Sequence, residues 1–302
     1  LSIDIGATLI KNIIFSRIMD KRYPYLKDKT KVKLDNETKT LLYTNIKALF
    51  LGKIGYIIST SSDNLVISSM INVKMVGLYS NYTTLTSSVS GFVGIFMSSI
   101  SASVGNLIAK EGKEKVYDVY KVSSYINFWL YGLSYIFLFC LAEPFIALWL
   151  GSEYIMDTKI LFLIMLDFLI SGLLSPIDNI KNAAGLYKPD RYVPIISALV
   201  NMIISIILVK YLGISGVFIG TLISIILLNF WIKPIIVYKN VFELNCTKYF
   251  IDIFIKLLSI ILIGFICYEI GEYCFKEYTI LNFIGRIIIC FCIPNIIIVA
   301  ST

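Results

Sequence analysis

"IKALFLGKIGYIISTSSDNLVISSM", residues 46–70, decides how the chain reads. Its length suits a membrane-spanning α-helix, which needs about 20 mostly apolar residues. Yet it carries a carboxylate, Asp63, inside the run. A charge at the bilayer centre costs on the order of 3 kcal/mol, so such a group faces a bundle interior or a wet cavity. Helical geometry agrees. At about 100° per residue, Gly52, Tyr56, Ser59 and Asp63 fall within about 60° of one another. Thr60, Lys53 and Asn64 flank that stripe, while Ile54, Ile58 and Leu65 occupy the opposite arc with only Ser61 among them. Lys53 cannot neutralise Asp63 within one straight helix, because ten residues put them about 15 Å apart.

Similar runs recur outward from this segment. The expected spans are 1–18, 46–70, 78–104, 122–142, 159–180, 192–211, 213–236, 249–270 and 280–300. Only 16% of the 302 residues are charged and 57% are hydrophobic. A soluble domain carries about 25% charged residues. The fold class is therefore an all-α polytopic membrane protein of about nine transmembrane helices. Short alternating segments, the mark of a membrane β-barrel, are missing. Residues 19–45 are charged and read as a linker with an amphipathic part on the membrane surface. The expected divisions are 1–18, 19–45, 46–236 and a last helix pair in 237–302. The chain opens with Leu1 inside an apolar stretch, so a longer protein is expected to precede it.

Lys and Arg total 27 and the net charge is +7. Nineteen of them fall in the stretches 17–47, 110–121, 181–191 and 233–248, against four near 74, 159, 210 and 276. That bias orients the first set toward the cytoplasm. It accounts for the charge without a nucleic-acid partner. The intervening loop 143–157 then lies outside, with Trp149 and Tyr154 at the interface.

Polar stripes recur in other spans. Tyr79, Tyr82, Thr83, Thr86, Ser87 and Ser90 follow i, i+3, i+4, i+7 spacing. Asp167, Ser171, Ser175 and Asp178 share an arc of about 80°. Ser197, Asn201 and Ser205 are spaced by four, and Gly216, Gly220 and Ser224 form a ridge of small residues suited to close helix contact. Hydroxyls also bond their own helix backbone, so each stripe has a purely structural reading. Several stripes together point to a hydrated cavity. Lys256 and Arg286 are expected to snorkel toward an interface.

Other chemistry is excluded. The chain has no His, which removes His-dependent acyl transfer and His proton relays. No phosphate-binding Gly-rich loop ending in Lys-Ser/Thr is present. Outer loops of at most about 16 residues leave no room for a catalytic domain on ordinary loop lengths. Six cysteines lie mostly within apolar segments, and Cys290 and Cys292 lack further ligands, so no metal, cofactor or disulfide framework is expected.

Several segments resemble bacterial polysaccharide flippases. These are the Wzx-type O-antigen and capsule repeat-unit translocases of the multidrug/oligosaccharidyl-lipid/polysaccharide exporter superfamily. The segments are "TSSDNLVISSMINVKMVGLYSNY" (60–82), "ISASVGNLIAKEGKEK" (100–115), "PFIALWLGSEY" (144–154), "AAGLYKPDRY" (183–192) and "NMIISIILVKYLGISGVFIGTLIS" (201–224). "RYPYL" (22–26) resembles the stretch that joins the two lobes of such proteins. The match runs in order over roughly 10–240, and residues 249–300 carry little of it. Asp63, Asn64, Tyr79, Asn81, Tyr82, Gly105, Asn106, Gly185 and Asn201 fit the pattern most closely, with Gly105 and Asn106 expected to cap a helix end.

The resemblance implies twelve to fourteen helices in two pseudo-symmetric lobes. Residues 1–18 would end the N-terminal lobe and 46–236 would form a MATE/MOP-like six-helix lobe followed by the extra pair. It implies that an undecaprenyl-pyrophosphate-linked oligosaccharide crosses the bacterial cytoplasmic membrane by alternating access. Lys53 and Lys11 would meet the pyrophosphate. Asn64, Asn81, Thr83, Thr86 and Asn201 would meet sugar hydroxyls, with Thr60, Tyr79 and Asp167 lining the same cavity. Asp63 would be a cation or proton coupling site, or would hold a neighbouring basic residue. Glycosyltransferases and a polymerase of the same pathway are the implied partners. The rival readings are a drug or cation exporter of the same superfamily, an integral membrane polymerase or ligase, and a non-transporting scaffold.

Overall fold

The computed structural model describes residues 2–27 and 34–300, with side chains for 5–25, 34–99, 105–108 and 111–297. The chain divides into two compact units, residues 1–43 and 44–302. The first holds α1 (Ser2–Arg22) and a 3-10 turn, Pro24–Lys27. Helix α2 (Asn36–Met70) begins ten residues before the apolar run that announced it. Of the expected linker 19–45, residues 28–33 lie outside the described residues.

The second unit continues with α3 (Val73–Lys110), α4 (Lys113–Trp149), α5 (Thr158–Ala183) and α6 (Val193–Leu212). One rod then runs Ile214–Phe242 as α7 (Ile214–Ser224), a π turn (Ile225–Asn229), α8 (Phe230–Val237) and a second π turn (Tyr238–Phe242). α9 (Thr247–Cys274) and α10 (Ile280–Ala300) complete it. The described residues contain no strand. The protein is an all-α polytopic membrane protein. Among the described residues seven helices are long and apolar enough to cross a membrane, and α1 and α3 are not among them. The run Thr83, Thr84, Thr86, Ser87, Ser88 and Ser90 lowers the hydropathy of α3. The described part of α1 carries Lys11, Arg17, Asp20, Lys21 and Arg22.

Short polar caps set the turns. Asn72 accepts from the Met75 N–H at 2.8 Å and starts α3. Asp157 accepts from the Lys159 N–H at 2.8 Å and starts α5. These side chains satisfy backbone donors that a helix start leaves unpaired. Gly105 and Asn106 do not cap a helix end. α3 continues past them to Lys110, where the Glu111 N–H bonds Leu107 O.

α4 and α5 pack together at the centre of the second unit. α3 lies against both, α9 and α10 against α4, and α7 and α8 against α5. Tyr135, Phe139, Leu161, Met165 and Leu169 are fully or almost fully enclosed there. Buried amides tie the pair. Asn127 Nδ2 donates to Gly172 O at 2.9 Å and Ser175 Oγ donates to Asn127 Oδ1 at 3.1 Å.

α6 packs on α7 along the predicted small-residue ridge. A side chain at Gly216 would strike the backbone of Leu208 and Val209, and one at Gly220 would strike Ser205. Backbones this close gain dispersion contacts that apolar lipid cannot better. Replacing Gly216 with Val should cost about 1–3 kcal/mol, the usual range for overpacking. Thermal unfolding in detergent should show the drop, because the obstructing atoms are backbone and cannot rotate away.

Arg286 corrects the expectation of a snorkelling cation. It is 2% exposed, and its NH1 lies 2.7 Å from Glu272 Oε1. NH2 and Nε donate to Phe275 O at 2.6 and 3.3 Å. Lys256 instead pairs with Asp252 at 2.7 Å, one turn away on α9.

Candidate functional site

α2 approaches its neighbours closely at Gly55, where an added side chain would collide with Pro194. Beyond that point a cavity of about 570 Å³ opens between α2, α3, α5, α6 and the α7–α8 rod. Thr60, Asp63, Asn64, Tyr79, Thr83 and Asp167 all line it. The helix periods of three separate segments thus converge on one space.

Asp63 is the centre of a hydrogen-bonded network. It is 7% exposed, and Asn201 is fully buried beside it. Asn201 Nδ2 donates to Asp63 Oδ1 at 3.1 Å. Thr221 Oγ1 lies 3.2 Å from Asp63 Oδ2, 3.2 Å from Asn201 Oδ1 and 3.3 Å from Val217 O. One hydroxyl hydrogen serves only one of these acceptors at a time. Ser205 Oγ has a similar choice between Asn201 Oδ1 at 3.0 Å and Val217 O at 3.1 Å. Asp63 therefore has neutral donors and no ion-pair partner among the described residues. Of the two roles foreseen for it, holding a neighbouring basic residue has no counterpart among the described residues.

Asp167 faces the same space and lies 3.5 Å from Ser171 Oγ. Lys233 is the one cation lining this cavity among the described residues, and Asp178 holds it at 2.7 Å. Removing Lys233 alone would leave Asp178 partly buried without its counter-ion. Lys233→Met should cost about 1–2 kcal/mol, less than the 3–5 of a fully buried pair because both groups retain some water. The double variant with Asp178→Asn should recover most of that loss in detergent thermal melts.

Four predicted positions, Lys53, Asn81, Thr86 and Lys11, fall elsewhere. Lys53 borders an adjoining groove of about 410 Å³ with Lys181, Arg191 and Tyr187, which shares Gly52, Tyr56 and Pro194 with the cavity. Its Nζ sits 5.1 Å from the Tyr56 ring centre. Within this groove Lys181 is ion-paired with Asp190. Asn81 and Thr86 do not line the cavity, and the Thr86 hydroxyl donates to Thr83 O at 3.2 Å. Lys11 lies on α1 in the first unit, exposed.

Residues absent from the predicted site complete it. Thr221 joins Asp63 directly, and Asn229 Nδ2 donates to Ser197 Oγ at 3.2 Å across the cavity wall. Hydroxyls on the wall bond their own helices, as with Thr60 to Tyr56 O at 3.0 Å and Thr83 to Ser80 O at 3.1 Å. Their hydrogens are thereby used, and each still offers lone pairs to the cavity. The arrangement can accept and donate hydrogen bonds to a polar solute inside an apolar slab. Among the described residues no group of acids and cysteines is placed to hold a metal.

Residues 7–158 match a family model described as "Polysaccharide biosynthesis protein". No curated protein and no solved structure matches the chain. The family match includes Asp63, Asn64 and Tyr79 and stops before Asp167, Asn201 and Thr221.

Proposed function

The chain belongs to the polysaccharide biosynthesis protein family, and on that premise we propose that it is a flippase. It would carry an undecaprenyl-pyrophosphate-linked oligosaccharide repeat unit from the inner to the outer leaflet of the bacterial cytoplasmic membrane. The observation that carries this reading is the cavity itself. Hydroxyls, amides and carboxylates from α2, α3, α5, α6 and the α7–α8 rod face one space within a largely apolar bundle. A sugar head group loses its water partners in hydrocarbon at a cost of several kcal/mol per unpaired polar group. Thr60, Asn64, Tyr79 and Thr83 replace those partners. The adjoining groove supplies Lys53 and Arg191 for the pyrophosphate, through charge-assisted contacts stronger than neutral ones. The lipid tail remains in the bilayer. No bond is made or broken, and the protein is a transporter rather than an enzyme. Its proposed partners are the glycosyltransferases and the polymerase that make and use this substrate.

A second reading is supported by one feature. Asp63 and Asp167 line the same cavity, as a cation-coupled or cation-exporting member of the wider superfamily would require. Complementation separates the two. The protein is expressed from its complete gene in a host lacking its own repeat-unit flippase and supplied with the matched glycan pathway. Restored surface polysaccharide supports the flippase. Absence of rescue with normal membrane levels, together with resistance to cationic compounds, favours the second reading.

A further inference from the structure

A second polar groove, of about 380 Å³, lies apart from the cavity, where α4, the second π turn and α9 meet. Tyr120, Lys121 and Ser124 of α4 line it, with Lys248, Tyr249 and Lys256 of α9. None of these residues touches the transport cavity. The ion pair between Lys113 and Glu243, at 2.6 Å, fastens the start of α4 to the turn that leads into α9. All this belongs to the end that the basic loops assign to the cytoplasm.

The charges are unevenly matched. Lys256 is paired with Asp252, which also lines the groove, and Lys121 with Asp118, both at 2.7 Å. Lys248 has no acidic partner among the described residues. Tyr249 is 6% exposed and its enclosed hydroxyl has no hydrogen-bond partner among the described residues. A buried donor left unpaired is uncommon and asks for a missing acceptor. The Lys248 ammonium beside the unpaired Tyr249 hydroxyl suits an anionic group that accepts hydrogen bonds.

The adjacent wall is of the opposite character. An apolar groove of about 750 Å³ runs along α9, lined by Trp231, Phe250, Ile251, Phe254 and Ile255. Lys248, Ile251 and Ile255 follow i, i+3, i+7 spacing, so the two grooves meet along one line of the helix. A ligand that fills both carries an anionic head and a long apolar tail. Basic pockets between spans at a cytoplasmic face suit such heads. We propose that this paired groove on α9 binds an anionic phospholipid of the inner leaflet, its phosphodiester at Lys248 and Tyr249 and its acyl chain against Trp231 and Phe254. The inference is independent of which solute crosses the cavity.

Trp231 provides the readout. Purified protein in neutral detergent is titrated with phosphatidylglycerol brominated on its acyl chains, and with brominated phosphatidylcholine. Quenching by the anionic lipid at lower concentration, abolished by Trp231→Phe, is expected. Lys248→Gln should weaken the anionic lipid roughly fivefold, from about 1 kcal/mol per interfacial cation. Lys248 is exposed, so this change spares the packing. Tyr249→Phe should weaken binding severalfold without changing the preference for acyl chains. Equal affinity for the two lipids, or an unchanged Lys248→Gln variant, overturns the proposal. Displacement of the brominated lipid by glycerol phosphate at matched concentration overturns the lipid assignment in favour of a soluble phosphate.

Discussion

Replacing Asp63 with Ala is expected to lower surface polysaccharide at least tenfold while the protein still accumulates in the membrane. The two halves of that result rest on different facts. Asp63 is packed against neutral donors, Asn201 and Thr221, and not against a cation. Its removal therefore strands no opposite charge, the event that makes broken buried ion pairs so destabilising. Asn201 Oδ1 keeps Ser205 as a donor while its Nδ2 loses an acceptor, a loss of about 1–3 kcal/mol, and Thr221 can turn its hydrogen to Asn201 or Val217. Transport should respond differently, because on the proposed function the moving solute would meet the carboxylate or an ion held by it. A hydrogen bond to a charged group contributes about 1.5–3 kcal/mol, and 1.4 kcal/mol is tenfold. Asp63→Asn decides which property matters. Recovery by Asn shows that an acceptor of the right shape suffices. Failure of Asn, at equal membrane levels, shows that the charge is required. Full activity of Asp63→Ala would reduce the network to packing and remove the best candidate from the transport path.

The same network shows how far the residue order alone reaches. One helical period placed Asp63, Thr60 and Asn64 on a common face, and the period of α3 placed Tyr79 with Thr83. Those positions are legible because a straight helix fixes angles over a few turns. Asn81, midway between Tyr79 and Thr83, points off that face, and only the resemblance recommended it. Thr221 flanks the ridge of Gly216, Gly220 and Ser224, whose small size reads as helix packing. Asn229 and Lys233 were hidden for a different reason. The π turn Ile225–Asn229 inserts extra residues into the rod, so a wheel drawn at 100° per residue loses register beyond Ser224. π turns often mark functional positions, and this one borders the cavity through Ile225 and Asn229. The long-range partners of Asp63 on α6 and α7 required the tertiary fold, since nothing local links residue 63 to residues 201 and 221.

Arg286→Met should be the most damaging single change to stability, about 2–4 kcal/mol, because it strips the Phe275 carbonyl of its donors and a partly exposed Glu272 of its counter-ion. In contrast to Asp63, this residue joins a buried cation to fixed acceptors. Arg286 is 2% exposed, whereas Glu272 is 39% exposed. The damage should therefore be asymmetric. Without Arg286, Phe275 O loses both guanidinium donors and Glu272 loses its counter-ion. Without Glu272, Arg286 still donates to Phe275 O, and water reaches the vacated side. Glu272→Gln should thus cost clearly less. Lys at 286 should restore little, because its single ammonium cannot reproduce a planar fork serving two partners at once. Thermal unfolding in detergent, with membrane accumulation measured alongside, checks all three variants. The expected order of stability is wild type, Glu272→Gln, Arg286→Lys, Arg286→Met. An Arg286→Met variant as stable as the wild type would return the residue to the snorkelling role its apolar span first suggested. Transport per folded molecule should stay near normal throughout, since α9, α10 and their connecting turn do not line the cavity. Asp63 and Arg286 are both charges inside spans, and the partner each one faces predicts opposite phenotypes: a stable protein that does not transport, and a transport-competent one that does not stay folded.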